Sequence, residues 1–188
     1  MTKEKEQSEW VGWFKAFIVA LLLVWIVRTF IIIPIEVDGP SMSPTLIDQD
    51  YLIVEKISYQ FSNPKRFDII VFHVTEDKDY IKRIIGLPGE TVEYKNDQLY
   101  INDQLVEEPF LSDYLSENNF SSPYTNNFTL TEDIPGQHQT IPEGYYLVLG
   151  DNRQDSKDSR MIGLIPKENI MGKARFIYWP FNRISSVN

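Results

Sequence analysis

Ser41 stands between two prolines in Gly39-Pro40-Ser41-Met42-Ser43-Pro44-Thr45-Leu46. Prolines restrict the backbone and a glycine permits unusual dihedrals, so such a loop can hold a hydroxyl rigidly. An ordinary turn has the same composition. A serine nucleophile needs a base, and the chain has only two histidines. His73 lies in the strand-like run Ile69–Val74 and is expected to be a half-buried structural residue. His138, between two glutamines in a polar stretch, is expected to be exposed. Lysine is the other route. In Asp79-Tyr80-Ile81-Lys82-Arg83-Ile84-Ile85-Gly86-Leu87-Pro88-Gly89-Glu90, strand alternation places Lys82 with Tyr80 and Ile84, and Arg83 with Ile81 and Ile85. Apolar neighbours and the like charge of Arg83 would both disfavour the ammonium form, leaving an amine able to act as a base. An edge-strand lysine reaching solvent is the competing reading. A third cluster, Gly150-Asp151-Asn152-Arg153-Gln154-Asp155-Ser156-Lys157-Asp158-Ser159-Arg160, has the mixed charges of a loop bracing a site, or of a solvated turn. It is not a calcium loop: counted from Asp151, Ser156 and Ile162 stand where the glycine and glutamate should be.

Elements must bring these groups together. The run Phe14–Ile33 (FKAFIVALLLVWIVRTFIII) is apolar all round. Its length, about 30 Å as a helix, matches a bilayer core. Trp10, Trp13 and Trp25 suit interfaces, and Lys15 and Arg28 can snorkel. It is long for a cleaved leader and no Ala-x-Ala follows, so the expectation is a retained transmembrane anchor. Lys3, Lys5 and Lys15 favour a cytoplasmic N-terminus. The expected organisation is a cytoplasmic segment 1–13, an anchor 14–33 and an extracytoplasmic catalytic domain 34–188. A fully extended link from Ile33 to Ser41 spans at most about 28 Å, so Ser41 must act near the membrane surface.

The rest reads as mainly β. Tyr51–Val54, Asp68–Val74, Tyr80–Ile85, Thr91–Tyr94, Leu99–Asn102, Tyr145–Leu149 and Lys173–Trp179 are rich in Ile, Val, Tyr and Phe. Lys95–Gln98 marks a hairpin. Residues 107–140 are polar and poorly periodic, and are expected to be an extended insertion. The net charge of −9 and the lack of a basic stripe argue against a nucleic-acid partner. With no cysteine, thiol catalysis, disulfides and cysteine-ligated zinc are excluded; two histidines are too few for a His-rich metal site.

Together the anchor, Gly-Pro-Ser-Met-Ser-Pro-Thr-Leu, Tyr-Ile-Lys-Arg-Ile-Ile-Gly-Leu-Pro-Gly-Glu and Gly-Asp-Asn-Arg with Ser-Lys-Asp-Ser-Arg resemble the type I signal peptidases, in order and spacing. The single anchor and compact insertion resemble the Gram-positive branch. The resemblance implies a mostly antiparallel β catalytic fold whose apolar edge meets the bilayer. It implies an endopeptidase that cuts exported preproteins after small residues of the Ala-x-Ala type, with no metal or organic cofactor. Ser41 matches the nucleophile, Lys82 the base, and Ser156 the hydroxyl that orients the amine. Asp151, Arg153, Asp158, Arg160 and Arg83 match bracing positions. The oxyanion hole would use the Ser41 amide. Gly39 stands where some relatives carry a second donor hydroxyl, and Pro40 has no N–H to offer. Two alternatives remain: a self-cleaving repressor-type Ser–Lys protease, and an anchored β-rich binding protein without catalysis.

Overall fold

The computed structural model describes residues 2–118, 120 and 122–187, and leaves aside the side chains of 2–9, 11, 27 and 30. Met1 and Asn188, at the ends of the expected segments, and Asn119 and Ser121, within the expected insertion, lie outside the described residues.

The apolar run is not one helix. Helix α1 (Thr2–Ile26) gives way to a π-helical turn (Val27–Ile31), and β1 (Ile32–Glu36) begins inside the expected anchor. Among the described residues, no helix is long and apolar enough to cross a membrane. Ile32 and Ile33 are β-branched and precede Pro34, which favours extended backbone over helix. They pair with Glu55 and Val54 of β2 (Tyr51–Glu55) instead.

All strand pairs are antiparallel. The larger sheet runs β1–β2–β11–β3–β4–β9–β10, with β12 added on β11. Its members are β3 (Ile69–Thr75), β4 (Lys78–Gly86), β9 (Tyr145–Leu149), β10 (Ile165–Pro166), β11 (Ile170–Trp179) and β12 (Ser185–Ser186). The smaller sheet runs β7–β6–β5–β8, from β5 (Val92–Lys95), β6 (Gln98–Ile101), β7 (Gln104–Val106) and β8 (Phe128–Thr129). Its hairpin turns are Asn96-Asp97 and Asn102-Asp103, all with positive φ, as a tight two-residue hairpin requires.

Leu52, Val54, Val71, Ala174 and Ile177 form one core under the larger sheet, joined by Met42 and Leu46 from the serine loop. Ile70, Phe72, Ile84, Tyr146 and Val148 form a second. Tyr94, Leu99 and Phe128 of the smaller sheet, with Leu130 just after β8, pack on Ile85, Leu147 and Leu149 in a third. Thus β4 and β9 have apolar partners on both faces, and the groups that follow them enter dry surroundings.

Residues 107–140 are not simply extended. After the short helix α2 (Ser58–Phe61) that follows β2, the next helix is α3 (Pro109–Glu117); it and β8 lie within 107–140, which bury Leu111, Tyr124, Leu130 and Ile134. Pro109 sits in the first helical turn, where its missing N–H costs nothing. Phe110, Leu111 and Tyr114 then supply a short apolar face that the surrounding polar residues mask in the sequence.

Candidate active site

The loop after β1 delivers Ser41. Gly39 takes φ +91°, open to glycine at little cost, and its N–H donates to Asp48 Oδ1 at 2.8 Å. The turn closes through Ser43 N–H to Pro40 O at 2.9 Å and Leu46 N–H to Met42 O at 2.9 Å. Met42 and Leu46, both buried, pin it to the core. Thr45 Oγ1 donates to Asp151 Oδ2 at 2.6 Å.

Strand β4 delivers Lys82. Its Nζ lies 2.7 Å from Ser41 Oγ and donates to the Ile81 carbonyl at 2.8 Å. Only 3% of the residue is exposed. Burial lowers its pKa to about 8, against the pull of the Asp158 and Asp151 carboxylates, which favour the ammonium. The like charge of Arg83 is not among the causes, contrary to the sequence expectation. Arg83 points away on alternate register and pairs with Asp151 through Nε–Oδ1 at 2.9 Å and Nη2–Oδ2 at 2.7 Å. Both side chains are fully buried.

The loop after β9 closes the site. Asn152 N–H donates to the Ser41 carbonyl at 3.1 Å, and Asn152 Nδ2 to the Pro40 carbonyl at 3.2 Å. Gly150 is required by close approach, because a Cβ there would collide with Ser156 Oγ and the Ser41 carbonyl. Its N–H donates to Asp158 Oδ2 at 3.0 Å. Asp158 also caps helix α4 (Ser159–Ile162) and pairs with Arg160 at 2.8 Å. Arg153 donates to the Gly150 carbonyl at 2.9 Å and pairs with Glu108 at 2.6 Å.

The structure therefore gathers Ser41, Lys82, Arg83, Asp151, Arg153, Ser156, Asp158 and Arg160 around one loop junction. Two details differ from what the resemblance implies. Ser156 Oγ is buried with no hydrogen-bond partner among the described residues, so it does not hold the Lys82 amine in this conformation. The Gly39 N–H is occupied by Asp48, so it is not free as a second oxyanion donor. The histidines also differ. His73 is exposed rather than half-buried, because β3 runs past the core to the hairpin tip, where Nδ1 meets Asp79 Oδ1 at 2.6 Å. His138 is partly buried, with its ring over Gly136. Neither lines the cleft at Ser41.

That cleft, about 510 Å³, has Ile35–Asp38 on one wall and Lys78–Ile81 on the other. β9 pairs with β4 only from Arg83 onward, so the Lys78–Lys82 edge opposite β3 has no strand partner among the described residues. Among the described residues, β1 pairs only with β2. Two open strand edges thus face one groove that ends at Ser41. Thr45, Glu108, Tyr124 and Asn152 also hold the junction and were not singled out from the sequence. Thr45 and Asn152 sat inside quoted motifs; for Glu108 and Tyr124 no local pattern signals a partner so far away in the chain.

Comparison with known proteins gives one answer. The family described as signal peptidase, peptidase S26, matches residues 10–179. A signal peptidase IB of Staphylococcus aureus is 40% identical over 179 residues, covering 94% of this chain and 93% of that one. A signal peptidase I of Bacillus caldolyticus is 44% identical over 187 residues, covering 98% of each. The crystal structure of a signal peptidase I from Enterococcus faecalis superposes with TM-score 0.55 at 43% identity, over 60% of this chain and 97% of that one. With family match, long alignments and a shared antiparallel β fold in agreement, the chain belongs to the type I signal peptidases of peptidase family S26, on their Gram-positive-like branch.

Proposed function

We propose that this signal peptidase is a membrane-anchored Ser–Lys enzyme that cuts exported preproteins after small residues. The observation that carries the reading is the 2.7 Å approach of a buried, depressed-pKa Lys82 amine to Ser41 Oγ. Neutral Lys82 takes the Ser41 proton as Oγ attacks the scissile carbonyl. The amine then protonates the leaving nitrogen, and an acyl-enzyme remains. Lys82, neutral again, draws a proton from water, which releases the signal peptide. The Ser41 N–H makes no hydrogen bond among the described residues and is the assigned oxyanion donor. Ser156 Oγ is the assigned partner for the amine once its proton has moved.

An extended signal peptide would add as a strand between the edges of β1 and β4. Alternate side chains would then face Ile35, Val37, Met42 and Ile81, whose bulk leaves room for small residues. The anchor reading is supported by α1: Phe14, Phe17, Leu21, Leu22, Leu23 and Val24 are exposed, an apolar surface suited to lipid. The substrates are preproteins, and no nucleic acid or cofactor enters the reaction. The test is cleavage of a purified preprotein by the full chain, with Ser41→Ala as control. A correctly cut product with wild type and none with Ser41→Ala is expected; cleavage by both would sink the dyad.

A further inference from the structure

The smaller sheet and the helix that follows it contain none of the residues matched to the family's catalytic motifs. Two side chains from the segments flanking that helix, Glu108 before it and Tyr124 between it and β8, nevertheless end on the loop that holds Ser41. Tyr124 OH donates to the Asp151 carbonyl at 2.7 Å, and the bond is buried. The next residue, Asn152, is the one whose N–H and side chain hold the Ser41 and Pro40 carbonyls. One peptide unit therefore separates the clamp from the nucleophile's own backbone.

Tyr124 is itself tied to the β5–β6 turn of the smaller sheet. The Asp97 carboxylate, in the β5–β6 turn, accepts from the Tyr124 N–H at 3.1 Å and from the Thr125 N–H at 2.6 Å. Phe120 packs on its ring with centroids 4.9 Å apart. A second arm runs through Glu108, the residue before α3. Glu108 Oε1 accepts from Arg153 Nη2 at 2.6 Å, and Arg153 also donates to Tyr94 OH at 2.7 Å and to the Gly150 carbonyl at 2.9 Å. Phe110 lies beneath the Arg83 guanidinium, 3.8 Å from ring centroid to Cζ, behind the Asp151 carboxylate that holds Thr45. Gly150, Asp151 and Arg153 are thus held from the smaller-sheet side while Asn152 holds Ser41 from the other.

We propose that Tyr124 and Glu108 are positioning residues for the reaction: they fix the loop Gly150–Arg153, and through Asn152 they set the placement of Ser41 against Lys82. The proposal rests on the reading of Ser41 as nucleophile. The chemical need is a near-attack geometry, where displacement by about 1 Å costs up to roughly 100-fold in rate. Neither residue is a hydrogen-bond partner of Lys82, and neither is among the groups that shift its pKa.

The test is steady-state kinetics of the full chain in detergent on a preprotein. Tyr124→Phe removes one hydroxyl and keeps the ring; Glu108→Gln keeps the shape and removes the charge. Leu99→Ala, buried in the smaller-sheet core, is the control for general loosening. At a temperature where all are folded, Tyr124→Phe should lower kcat by roughly ten-fold, with KM within two-fold and the pH of half-maximal kcat unchanged. Glu108→Gln should behave likewise, and Leu99→Ala should lose melting temperature but keep kcat. A Tyr124→Phe enzyme within three-fold of wild-type kcat overturns the proposal, as does a Leu99→Ala enzyme that loses as much as Tyr124→Phe. An active Ser41→Ala enzyme brings down the dyad reading itself. A normal Tyr124→Phe beside an inactive Ser41→Ala brings down the brace alone.

Discussion

Lys82 is under two opposed influences, burial against two carboxylates, and burial prevails. With its pKa lowered to about 8, kcat/KM should rise with pH through that value, since only the neutral amine accepts a proton. Lys82→Arg should be inactive, because guanidinium stays charged; an active Lys82→Arg would exclude this base. A stability effect of definite sign accompanies the shift. The folded pKa lies below the unfolded one, so folding carries the full cost of the buried ammonium below about pH 8 and is relieved as pH rises towards the unfolded value of about 10.4. That cost is of the order of 3 kcal/mol. Lys82→Met should therefore melt higher than wild type at pH 7, with the gap closing by pH 10, while activity is lost. A Lys82→Met that melts lower at pH 7 would contradict the assignment. His73→Ala and His138→Ala should keep most activity, since neither lines the cleft. Total loss in a folded histidine variant would point to a different base.

At the scale of elements, strands with a dense apolar run were legible. Tyr145–Leu149 was read to the residue, and Asp68–Val74, Tyr80–Ile85 and Lys173–Trp179 lie within a residue of, or inside, β3, β4 and β11. What escaped was short or disguised. β1 looked like the end of a helix because Ile32 and Ile33 continue an apolar run, and only its pairing with β2 separates them from it. β7 was missed although Asn102-Asp103 repeats the turn chemistry of Asn96-Asp97 that marked the first hairpin. In the site, Ser41 and Lys82 were legible because both lie in compact motifs. Their bracing by Thr45, Glu108 and Tyr124 was not, since hydrogen bonds across 106, 45 and 27 residues leave no local trace. The element-scale link most open to test is the Arg83–Asp151 pair, which ties β4 to the loop after β9 with no exposure of either side chain. Removing one partner of such a pair strands a buried charge, and typically costs about 3–5 kcal/mol. Asp151→Ala should show that loss in chemical denaturation, together with lost activity. Asp151→Leu with Arg83→Met should recover most of the stability and none of the activity. Failure of the double variant to recover would mean that Thr45 and the loop backbone, rather than the stranded charge, dominate.

Across the whole molecule, the question is where the cleft sits relative to the bilayer. α1 presents exposed phenylalanines and leucines and leads through one π-helical turn into β1, the strand that forms a wall of the cleft. An enzyme built this way holds its groove close to whatever surface the helix enters, and Ser41 lies within about 28 Å of Ile33 even on a fully extended path. Signal peptides held in the same bilayer would then reach Ser41 at high effective concentration, since tethering both partners to one surface replaces free encounter by local search. The proposed orientation rests on the lysines: Lys3, Lys5 and Lys15 before or at the start of the apolar run favour a cytoplasmic N-terminus, which would put residues 34–188 outside. The acidic balance of the chain does not oppose this, because acidic residues contribute little to that rule. The expected outcome is specific on two counts. On the proposed anchor, alkaline carbonate should leave the full chain in the membrane pellet, because apolar anchoring does not depend on charge pairing. External protease added to intact protoplasts should digest residues 34–188 and spare the N-terminal segment. A chain released by carbonate would show that α1 lies on the surface rather than across it. A catalytic domain protected until lysis would place Ser41 on the cytoplasmic side, where an enzyme acting on exported preproteins would have no translocated cleavage site to reach.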